Sequence, residues 1–320
     1  MELYPFRLAF NGGLVAGGPA GTFAGVFARF PFIFEGKPVT RLAEGSPSPS
    51  CALSGRAAGS MKFDPAANSG PGPHRGPHGP VRERFFRAAG ASPGRVYSLI
   101  QVHSREVFTV PRGAPDPGAF ARPGDGMVCF PGPAGTPALA VTAADCLPVF
   151  LLDTRSGSFA ALHSGWKGTG IVLTALALMR DQGTRPEEVA ALLGPCIRSC
   201  CYRVDEGRAV LFEAEFGPSS PRVRVLIRGG DPYPLGPVVR RDGGGSYLDL
   251  QAANARLLAA AGVRHLAWCE DCTFTDERLG SYRREGPGAY TRMAALAGEL
   301  SGAISPERPG ESFRPANFTL

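Results

Sequence analysis

Residues 138–168 read ALAVTAADCLPVFLLDTRSGSFAALHSGWKG, and this stretch decides the fold class. Three short apolar runs, over residues 139–143, 149–152 and 158–162, are separated by polar breaks, a pattern typical of buried β-strands. The next segment, from residue 169 or 170 to residue 182, is apolar on almost every side, which predicts a buried helix. We therefore expect an α/β or mixed α+β domain, with a mixed sheet and buried helices.

Weaker patterns on both sides of this stretch predict the remaining elements. The expected helices cover residues 81–89 and 250–261, and the expected strands cover residues 96–102, 189–193, 223–227 and 265–269. The expected organisation is a divergent Gly/Pro-rich segment over residues 1–80 that ends in a loop over 69–80, a catalytic domain over 81–300 and a polar tail over 301–320.

Composition excludes several classes of protein. With 320 residues, 43% of them hydrophobic, the chain has enough apolar material for a folded core, which excludes general disorder. We expect no membrane partner, because no apolar run approaches the roughly 20 residues of a membrane-spanning helix. We also expect no nucleic-acid partner: the net charge of +6 comes almost entirely from arginine, and no basic run is interleaved with aromatic residues.

The ends of the chain and its cysteines indicate the compartment. The N-terminus lacks the basic start and continuous apolar centre of a signal peptide, so we expect a cytoplasmic protein. Eight cysteines are too few for a disulfide scaffold of this length, and Cys200 and Cys201 are adjacent. This usage indicates reduced thiols or metal ligands.

Polar residues at three predicted strand ends are the strongest candidates for chemistry. His103 follows an apolar run, Asp145 and Cys146 separate two such runs, and His163 closes another. Two imidazoles and one thiolate suit zinc and leave a fourth position for water, as in a catalytic zinc site. Because the ligands lie 43 and 17 residues apart, they form no local motif, and a small core cysteine with strand-capping histidines remains the alternative.

Two other interpretations use the same residues. Cys146 could be a nucleophile with His163 as its base, which would give a cysteine hydrolase or deamidase. A metal analysis separates the two interpretations, because a zinc-bound thiolate is not a free nucleophile. A purely structural zinc would need a fourth protein ligand, for which Cys129 is the nearest candidate.

The segment SGWKGTG, over residues 164–170, links His163 to the buried helix. Its glycines allow a ligand to approach the backbone, the helix start offers free amides, and Lys167 adds a positive charge. The order of residues is not that of a phosphate-binding Walker loop. An anion site at Lys167 therefore competes with a tight turn in which Trp166 packs on the core.

Several further residues are expected to be structural. Cys269 and Cys272 have the spacing of half a zinc knuckle that Cys200 and Cys201 could complete, but a buried structural role is favoured. His74 and His78 lie in the Gly/Pro-rich loop without a carboxylate or thiol partner. Asp249 and Asn254 are expected as a helix cap and a helix-face residue.

Six ordered motifs resemble those of the YfiH-like laccase-domain family over residues 82–300. They are QVHS (101–104), TAADCLPV (142–149), ALHSGWKG (161–168), LGPCIRSCCY (193–202), YLDLQAAN (247–254) and CTFTD (272–276) with SYRR (281–284). The chain departs from the family pattern in its first 80 residues, at Lys167, where the family usually has arginine, and over residues 287–292.

This resemblance implies a single α/β domain and a function. It implies a zinc-dependent purine nucleoside phosphorylase, acting on adenosine, inosine and methylthioadenosine with phosphate, that also deaminates adenosine. The family's metal ligands fall on His103, Cys146 and His163, and Asp145 is a candidate proton carrier. Phosphate is expected to contact the residues Lys167, Arg283 and Arg284.

Two alternatives accompany the resemblance. The family fold is similar to that of cysteine-dependent toxin deamidases, which retains the thiol interpretation. The older family label, a copper phenol oxidase, is disfavoured because multicopper chemistry needs many more imidazoles than the five histidines of this chain. Zinc is therefore expected in preference to copper.

Overall fold

The computed structural model describes residues 2–6, 27–31, 33–34, 37–38, 49–63, 77–110, 117–130, 132, 136–221, 223 and 236–300. Most of its strands belong to two β-sheets. The seven-stranded sheet contains, in spatial order, β1 (Glu2–Phe6), β16 (His265–Cys269), β12 (Val189–Leu193), β10 (Leu147–Asp153), β11 (Phe159–Ser164), β8 (Gly126–Cys129) and β7 (Val107–Val110). The five-stranded sheet contains β2 (Phe27–Pro31), β5 (Ser50–Ser54), β17 (Met293–Gly298), β9 (Ala138–Ala143) and β6 (Val96–Ser98).

Among the described residues, the remaining elements are short strands, six α-helices and single turns of 3-10 helix. Two smaller sheets are formed by β3 (Ile33–Phe34) with β4 (Lys37–Pro38), and by β13 (Arg203–Val204), β15 (Gly245–Leu248) and β14 (Val239–Asp242). The helices are α1 (Gly79–Ala88), α2 (Pro117–Phe120), α3 (Ile171–Asp181), α4 (Glu206–Phe216), α5 (Leu250–Ala260) and α6 (Tyr282–Glu285). None of the helices described is long and apolar enough to cross a membrane.

The two large sheets pack against each other between two layers of helix. In β10, Phe150 and Leu152 face the five-stranded sheet, whereas Val149 and Leu151 face a core formed with α3, α4 and α5. In β17, alternate residues likewise face the other sheet or the core shared with α1. Because both faces of these strands are buried, their sequences are continuously apolar instead of alternating.

The predicted α/β class with a mixed sheet is confirmed. In the large sheet, β1, β16 and β12 pair in parallel, whereas β12, β10, β11 and β8 pair antiparallel. The predicted strands at 189–193 and 265–269 have the expected bounds, and all three predicted helices form. Residues 2–6, 27–31 and 50–54 of the N-terminal segment contribute strands to the two large sheets.

Three predicted boundaries differ from the structure or cannot be compared with it. The strand expected over residues 96–102 ends at Ser98, because the chain then turns to direct successive backbone amides toward Asp125. Helix α1 begins at Gly79, inside the loop expected over 69–80, since proline is tolerated in the first helical turn. The strand expected over 223–227 lies outside the described residues except for Val223, as does the C-terminal tail.

Candidate metal centre

The structure brings together the three residues that the sequence singled out as metal ligands. The ligand atoms of His103, Cys146 and His163 all lie within 4.8 Å of one another. His163 is buried, Cys146 is half-buried and His103 is exposed, so the cluster has one side open to solvent. The imidazole centroids are 5.0 Å apart, with their planes at 73°.

Sheet register explains this convergence. Strands β10 and β11 are antiparallel, with Pro148 opposite His163, so Cys146, just before β10, lies beside His163. Strand β8 pairs on the other side of β11, and the backbone N–H of His163 donates to the carbonyl of Asp125 at 2.7 Å. The loop that carries His103 then folds over Asp125. The site therefore lies at the edge of the sheet where these strand ends meet.

The backbone is strained at two positions of this site. His103 has φ +61° and Asp145 has φ +81°, and they are the only non-glycine residues of the described chain in the left-handed region. Such conformations cost about 1–3 kcal/mol each and persist where the surrounding structure enforces them. At Asp145, the carboxylate accepts hydrogen bonds from Thr273 Oγ1 and from the backbone N–H of Arg283, both at 2.7 Å. These contacts hold the turn that presents Cys146.

Asp125, a residue outside the predicted site, organises the cluster. Its fully buried carboxylate accepts backbone N–H groups from Val102, His103 and Ser104, at 3.2, 3.0 and 2.6 Å. It also accepts the Ser104 hydroxyl at 2.7 Å and lies 2.9 Å from Nδ1 of His163. One carboxylate therefore fixes both the loop that carries His103 and the ring of His163.

The charge of Asp125 follows from these contacts. Burial by itself raises the pKa of the Asp125 carboxyl, but hydrogen bonds from His163 and Ser104 outweigh burial and lower this pKa to about 2. The ionised carboxylate accepts the Nδ1–H of His163, a tautomer assigned from this hydrogen bond. Because Asp125 occupies Nδ1, Nε2 is the ring nitrogen of His163 that a metal ion would bind once its proton leaves, as in the carboxylate–histidine pairs that support metal sites.

Sequence offered one signal for Asp125. It stands between two glycines, two residues before the apolar run at residues 127–130, and so lies at a strand end like the other site residues. Nothing local reveals its partners, because the three amides that it accepts lie more than 20 residues earlier in the chain.

Cys146 and His163 form a coupled pair in the metal-free protein. Burial raises the pKa of the Cys146 thiol, but the charge of His163 and hydrogen bonds from both histidines outweigh it and lower the pKa to about 6. For His163, burial lowers the pKa, but the Cys146 thiolate and the Asp125 hydrogen bond raise it to about 9. Near pH 7 the pair is a thiolate beside an imidazolium.

Two glycines after His163 allow the chain to pass close to the ligands. A Cβ atom at Gly165 would lie 2.9 Å from Cδ2 of His103 and 3.1 Å from Sγ of Cys146. A Cβ atom at Gly168 would lie 2.7 Å from the carbonyl oxygen of Ser104. All three distances are shorter than an ordinary van der Waals contact. This segment can therefore close one side of the site only because both residues are glycines.

Lys167 is exposed and lies next to an open cleft. Its Nζ is 5.6 Å from the centre of the Trp166 ring, and the ring also faces the guanidinium of Arg208. The cleft has a volume of about 590 Å³ and is lined by Lys167, Trp166, Arg105, Leu211, Phe212, Ala214 and Glu215. Of the first amides of α3, those of Ile171 and Leu173 already donate to carbonyls of the same segment and are not available to an anion.

The two arginines predicted to contact phosphate differ in their surroundings. Arg283 is exposed, and its guanidinium donates one hydrogen bond, of 3.0 Å, to the carbonyl of Arg203. The guanidinium of Arg284 donates to Glu285 and to the carbonyls of Thr273, Phe274, Asp276 and Leu279. Arg284 therefore holds the loop over residues 273–279, whereas Arg283 keeps donors for a ligand.

Other predicted residues occupy structural positions. Asp249 caps α5 by accepting the backbone N–H of Ala252, as predicted, and Asn254 donates to the Ser164 hydroxyl at 3.1 Å. Cys129 is buried at the far end of β8 and is not part of the His103 cluster, so it supplies no fourth ligand there. His74 lies outside the described residues, and His78 lies at the start of α1.

The remaining cysteines correct one expectation. Cys269 and Cys272 are buried as expected. The prediction of burial is wrong for Cys200, which is exposed. Its thiol lies with those of Cys201 and Cys272 in a second cluster.

Comparison with known proteins matches this chain to one family model and to curated relatives. The family model described as multi-copper polyphenol oxidoreductase laccase matches residues 80–298. A purine nucleoside phosphorylase of Corynebacterium glutamicum is 35% identical over 207 residues, which cover 64% of this chain and 75% of that protein. One from Mycobacterium tuberculosis is 33% identical over 221 residues, covering 67% of this chain and 76% of that protein.

A solved structure shares the fold. The crystal structure of YlmD from Geobacillus stearothermophilus superposes with a TM-score of 0.62 at 25% identity, covering 83% of this chain and 95% of that one. Together with the match over residues 80–298, these similarities show that the chain belongs to the YfiH-like laccase-domain family.

Proposed function

We propose that this protein is a zinc-dependent purine nucleoside phosphorylase that also deaminates adenosine. Its substrates would be adenosine, inosine or methylthioadenosine, together with phosphate. The observation that carries the proposal is the convergence of His103, Cys146 and His163 in a chain that is 30–35% identical to relatives named purine nucleoside phosphorylase.

The donor set fits a catalytic zinc ion. Two imidazoles and one thiolate are ligands that zinc prefers, and three protein ligands leave a position for water or substrate. Asp125 prepares the site, since it leaves Nε2 of His163 free, and the absence of a Cβ atom at Gly165 leaves room beside His103 and Cys146. Multicopper oxidation would need further imidazoles, and neither His78 nor His265 belongs to the cluster.

The chain's own residues would bind and orient the substrates around this site. Zinc held by these residues would supply Lewis acidity and lower the pKa of a water ligand toward about 7, which suits hydrolytic chemistry at C6 of adenosine. Asp125 would keep His163 in the required tautomer. Because both oxygens of Asp145 accept hydrogen bonds from Thr273 and Arg283, we assign it a positioning role ahead of the proton transfer expected from sequence.

Phosphorolysis needs an anion site next to the cluster. Lys167 follows Gly165 by two residues, and the backbone N–H of Arg283 is bonded to Asp145, the neighbour of Cys146. Both side chains are exposed cations, and the guanidinium of Arg283 offers paired donors that match phosphate oxygens. They would hold phosphate for attack on C1 of the ribose as the glycosidic bond to the purine breaks. Arg284 is left out because its donors are already used.

A second function is favoured by one specific contact. Asp125, His163 and Cys146 are arranged as an orienting carboxylate, a base and a nucleophile, the arrangement of a cysteine hydrolase or deamidase. The same carboxylate–histidine pair supports a metal ligand equally well. The two functions differ in whether Cys146 binds a metal or attacks a substrate.

One experiment tests both functions. Purified protein is analysed for metals and then incubated with adenosine in the presence and absence of phosphate, while adenine, inosine and hypoxanthine are measured. We expect about one zinc ion per chain at the His103 cluster, adenine only when phosphate is present, and inosine with or without phosphate. A metal-free protein that forms none of these products would contradict the proposal and favour the cysteine hydrolase.

A further inference from the structure

A second group of thiols lies at the ends of two neighbouring strands. The sulfur atoms of Cys200, Cys201 and Cys272 all lie within 4.8 Å of one another. Strands β12 and β16 are adjacent and parallel, so the loops that follow them leave the same edge of the sheet. An isolated backbone β-bridge pairs Cys196 with Cys272 and joins these loops directly. Topology therefore brings a CC pair and a cysteine 71 residues later into one cluster.

The local hydrogen bonds hold the three sulfur atoms together. Cys272 is 6% exposed, and its Sγ accepts the backbone N–H of Arg198 at 3.4 Å. The thiol of Cys201 donates to Sγ of Cys200 at 3.3 Å, and the turn that carries both is closed by a 2.9 Å bond from the Cys201 amide to the Arg198 carbonyl. Cys200 is exposed, so an ion can reach the cluster from solvent.

The donor set indicates what this cluster can bind. It contains no imidazole or carboxylate, so it has no general base of the kind that activates a nucleophilic cysteine. Adjacent cysteines are also poorly placed to bridge each other, because consecutive Cα atoms lie about 3.8 Å apart, whereas disulfides need about 4.4–6.8 Å. A set of sulfur atoms alone selects soft metal ions such as Zn²⁺, Cd²⁺ and Cu⁺.

We propose that Cys200, Cys201 and Cys272 form a second metal site, an all-thiolate site for a soft ion. Among the described residues the three thiols supply every protein ligand, and water from the exposed side completes the coordination of a tetrahedral ion. The site is distinct in composition from the His103 cluster, which has a single thiol.

The position of the site gives the ion a structural role. It joins the loop after β12 to the loop after β16, and Thr273, the residue after Cys272, donates to Asp145 at 2.7 Å. The second ion therefore fixes the loop that supports the strained turn before Cys146. Removing it should loosen that support without removing any ligand of the first site.

Cadmium titration of the full chain tests the site, because cadmium–thiolate absorbance reports the number of bound thiolates. Reduced, chelator-treated protein is titrated with Cd²⁺, and bound cadmium is measured by native mass spectrometry. We expect two ions per chain. The Cys200→Ser/Cys201→Ser variant should bind one and retain about one quarter of the absorbance, since one of four metal-bound thiolates remains. Cys146→Ser should lose the other ion and retain about three quarters.

Two further variants complete the design. Cys269→Ala removes a buried thiol at the end of β16 that is not in the cluster, so this variant should bind two ions with unchanged absorbance. Cys200→Ser alone is the substitute if the double variant fails to fold. It changes an exposed residue and should lower the cadmium affinity of the second site.

Three results would overturn the proposal. The first is that the wild-type protein binds only one ion and that the Cys146→Ser variant no longer binds it. The second is a second ion that the Cys200→Ser/Cys201→Ser variant retains. The third is a disulfide between Cys272 and either neighbour that forms in air in place of metal uptake, because the cluster would then be a redox pair.

Discussion

The His103 cluster and the Cys200 cluster are both groups of three potential ligands within 4.8 Å, but they are built differently. At the first, a buried carboxylate fixes one ligand ring and the loop of another, and two non-glycine residues take up left-handed backbone conformations. At the second, the ligands are thiols on two turns, held by single hydrogen bonds. Left-handed backbone at a non-glycine residue is absent there.

This difference supports the two proposals, a reaction site at the first cluster and a structural metal site at the second. Strain and a second layer of hydrogen bonds hold ligands in one geometry while leaving a coordination position open. A thiol cluster needs no such preparation, because an ion itself joins the loops. We therefore expect substitutions around the first cluster to change turnover strongly, and substitutions around the second to change metal content and stability.

The largest effect is expected at Cys146. Cys146→Ala removes the only anionic ligand of the first cluster, so the zinc ion of that cluster should be lost and both reactions should fall to background. Metal analysis and product assays measure this, with Cys269→Ala as the control for loss of a buried thiol elsewhere. Full zinc occupancy in Cys146→Ala would show that the ligand assignment is wrong.

A smaller loss is expected when the carboxylate that supports His163 is changed. Asp125→Asn keeps the shape of the side chain but removes the charge that holds the His163 tautomer, so metal affinity should fall about 10–100-fold. Competition with a chelator measures the affinity. Unchanged affinity in a folded variant would mean that Asp125 only shapes the loop.

Gly165 tests how closely the site is packed. Gly165→Ala would place a methyl group 2.9 Å from His103 and 3.1 Å from Cys146, so the ligands must shift and metal affinity should fall about tenfold. Gly94→Ala is the matched control, because nothing lies within 4 Å of a Cβ atom there. Equal behaviour of the two variants would show that the segment after His163 does not confine the site.

The smallest effect is expected at Lys167. Lys167→Ala should weaken phosphorolysis about threefold to tenfold through a higher KM for phosphate, while deamination is retained, because only phosphorolysis needs the anion. Lys62→Ala, which removes another exposed lysine, is the control. Equal losses of both activities in Lys167→Ala would argue against a phosphate role.

Strands and helices with strong local patterns were predictable from sequence, and others were not. β12 and β16 have the predicted bounds, whereas β17, with the sequence MAALAG, was missed because alanine favours helices in isolation. Pairing with β5 and β9 outweighs that preference. Helix α4 was also missed, although Asp205 caps it through the backbone N–H of Arg208.

At the site, sequence identified ligand types but not their support. His103, Cys146 and His163 were recognisable because polar residues interrupt apolar strands and because the motifs resemble those of a family. Asp125 was not, since its role depends on amides brought to it by folding. Cysteine spacing indicates a zinc knuckle that includes Cys269 and favours a buried structural role, whereas the closeness of the second cluster depends on the pairing of β12 with β16.

The pH dependence of the metal-free protein follows from the coupled pair. The lowered pKa of Cys146 means that its thiolate forms as the pH rises through about 6, whereas an ordinary thiol ionises near 9. Alkylation of Cys146 in chelator-treated protein should therefore increase steeply between pH 5 and pH 7 and change little above that. An increase centred near pH 9 would contradict the thiolate–imidazolium pair.

Alkylation with and without metal tests most directly whether Cys146 is a ligand or a nucleophile. Zinc-loaded and chelator-treated proteins are treated with iodoacetamide at pH 7, and the modified residue is identified by peptide mass, which separates Cys146 from Cys200 and Cys201. Because a metal-bound thiolate shares its lone pair, we predict slow labelling of Cys146 with zinc and rapid labelling without it. Rapid labelling at full zinc occupancy, with activity lost in step, would contradict the metal centre and favour a cysteine hydrolase.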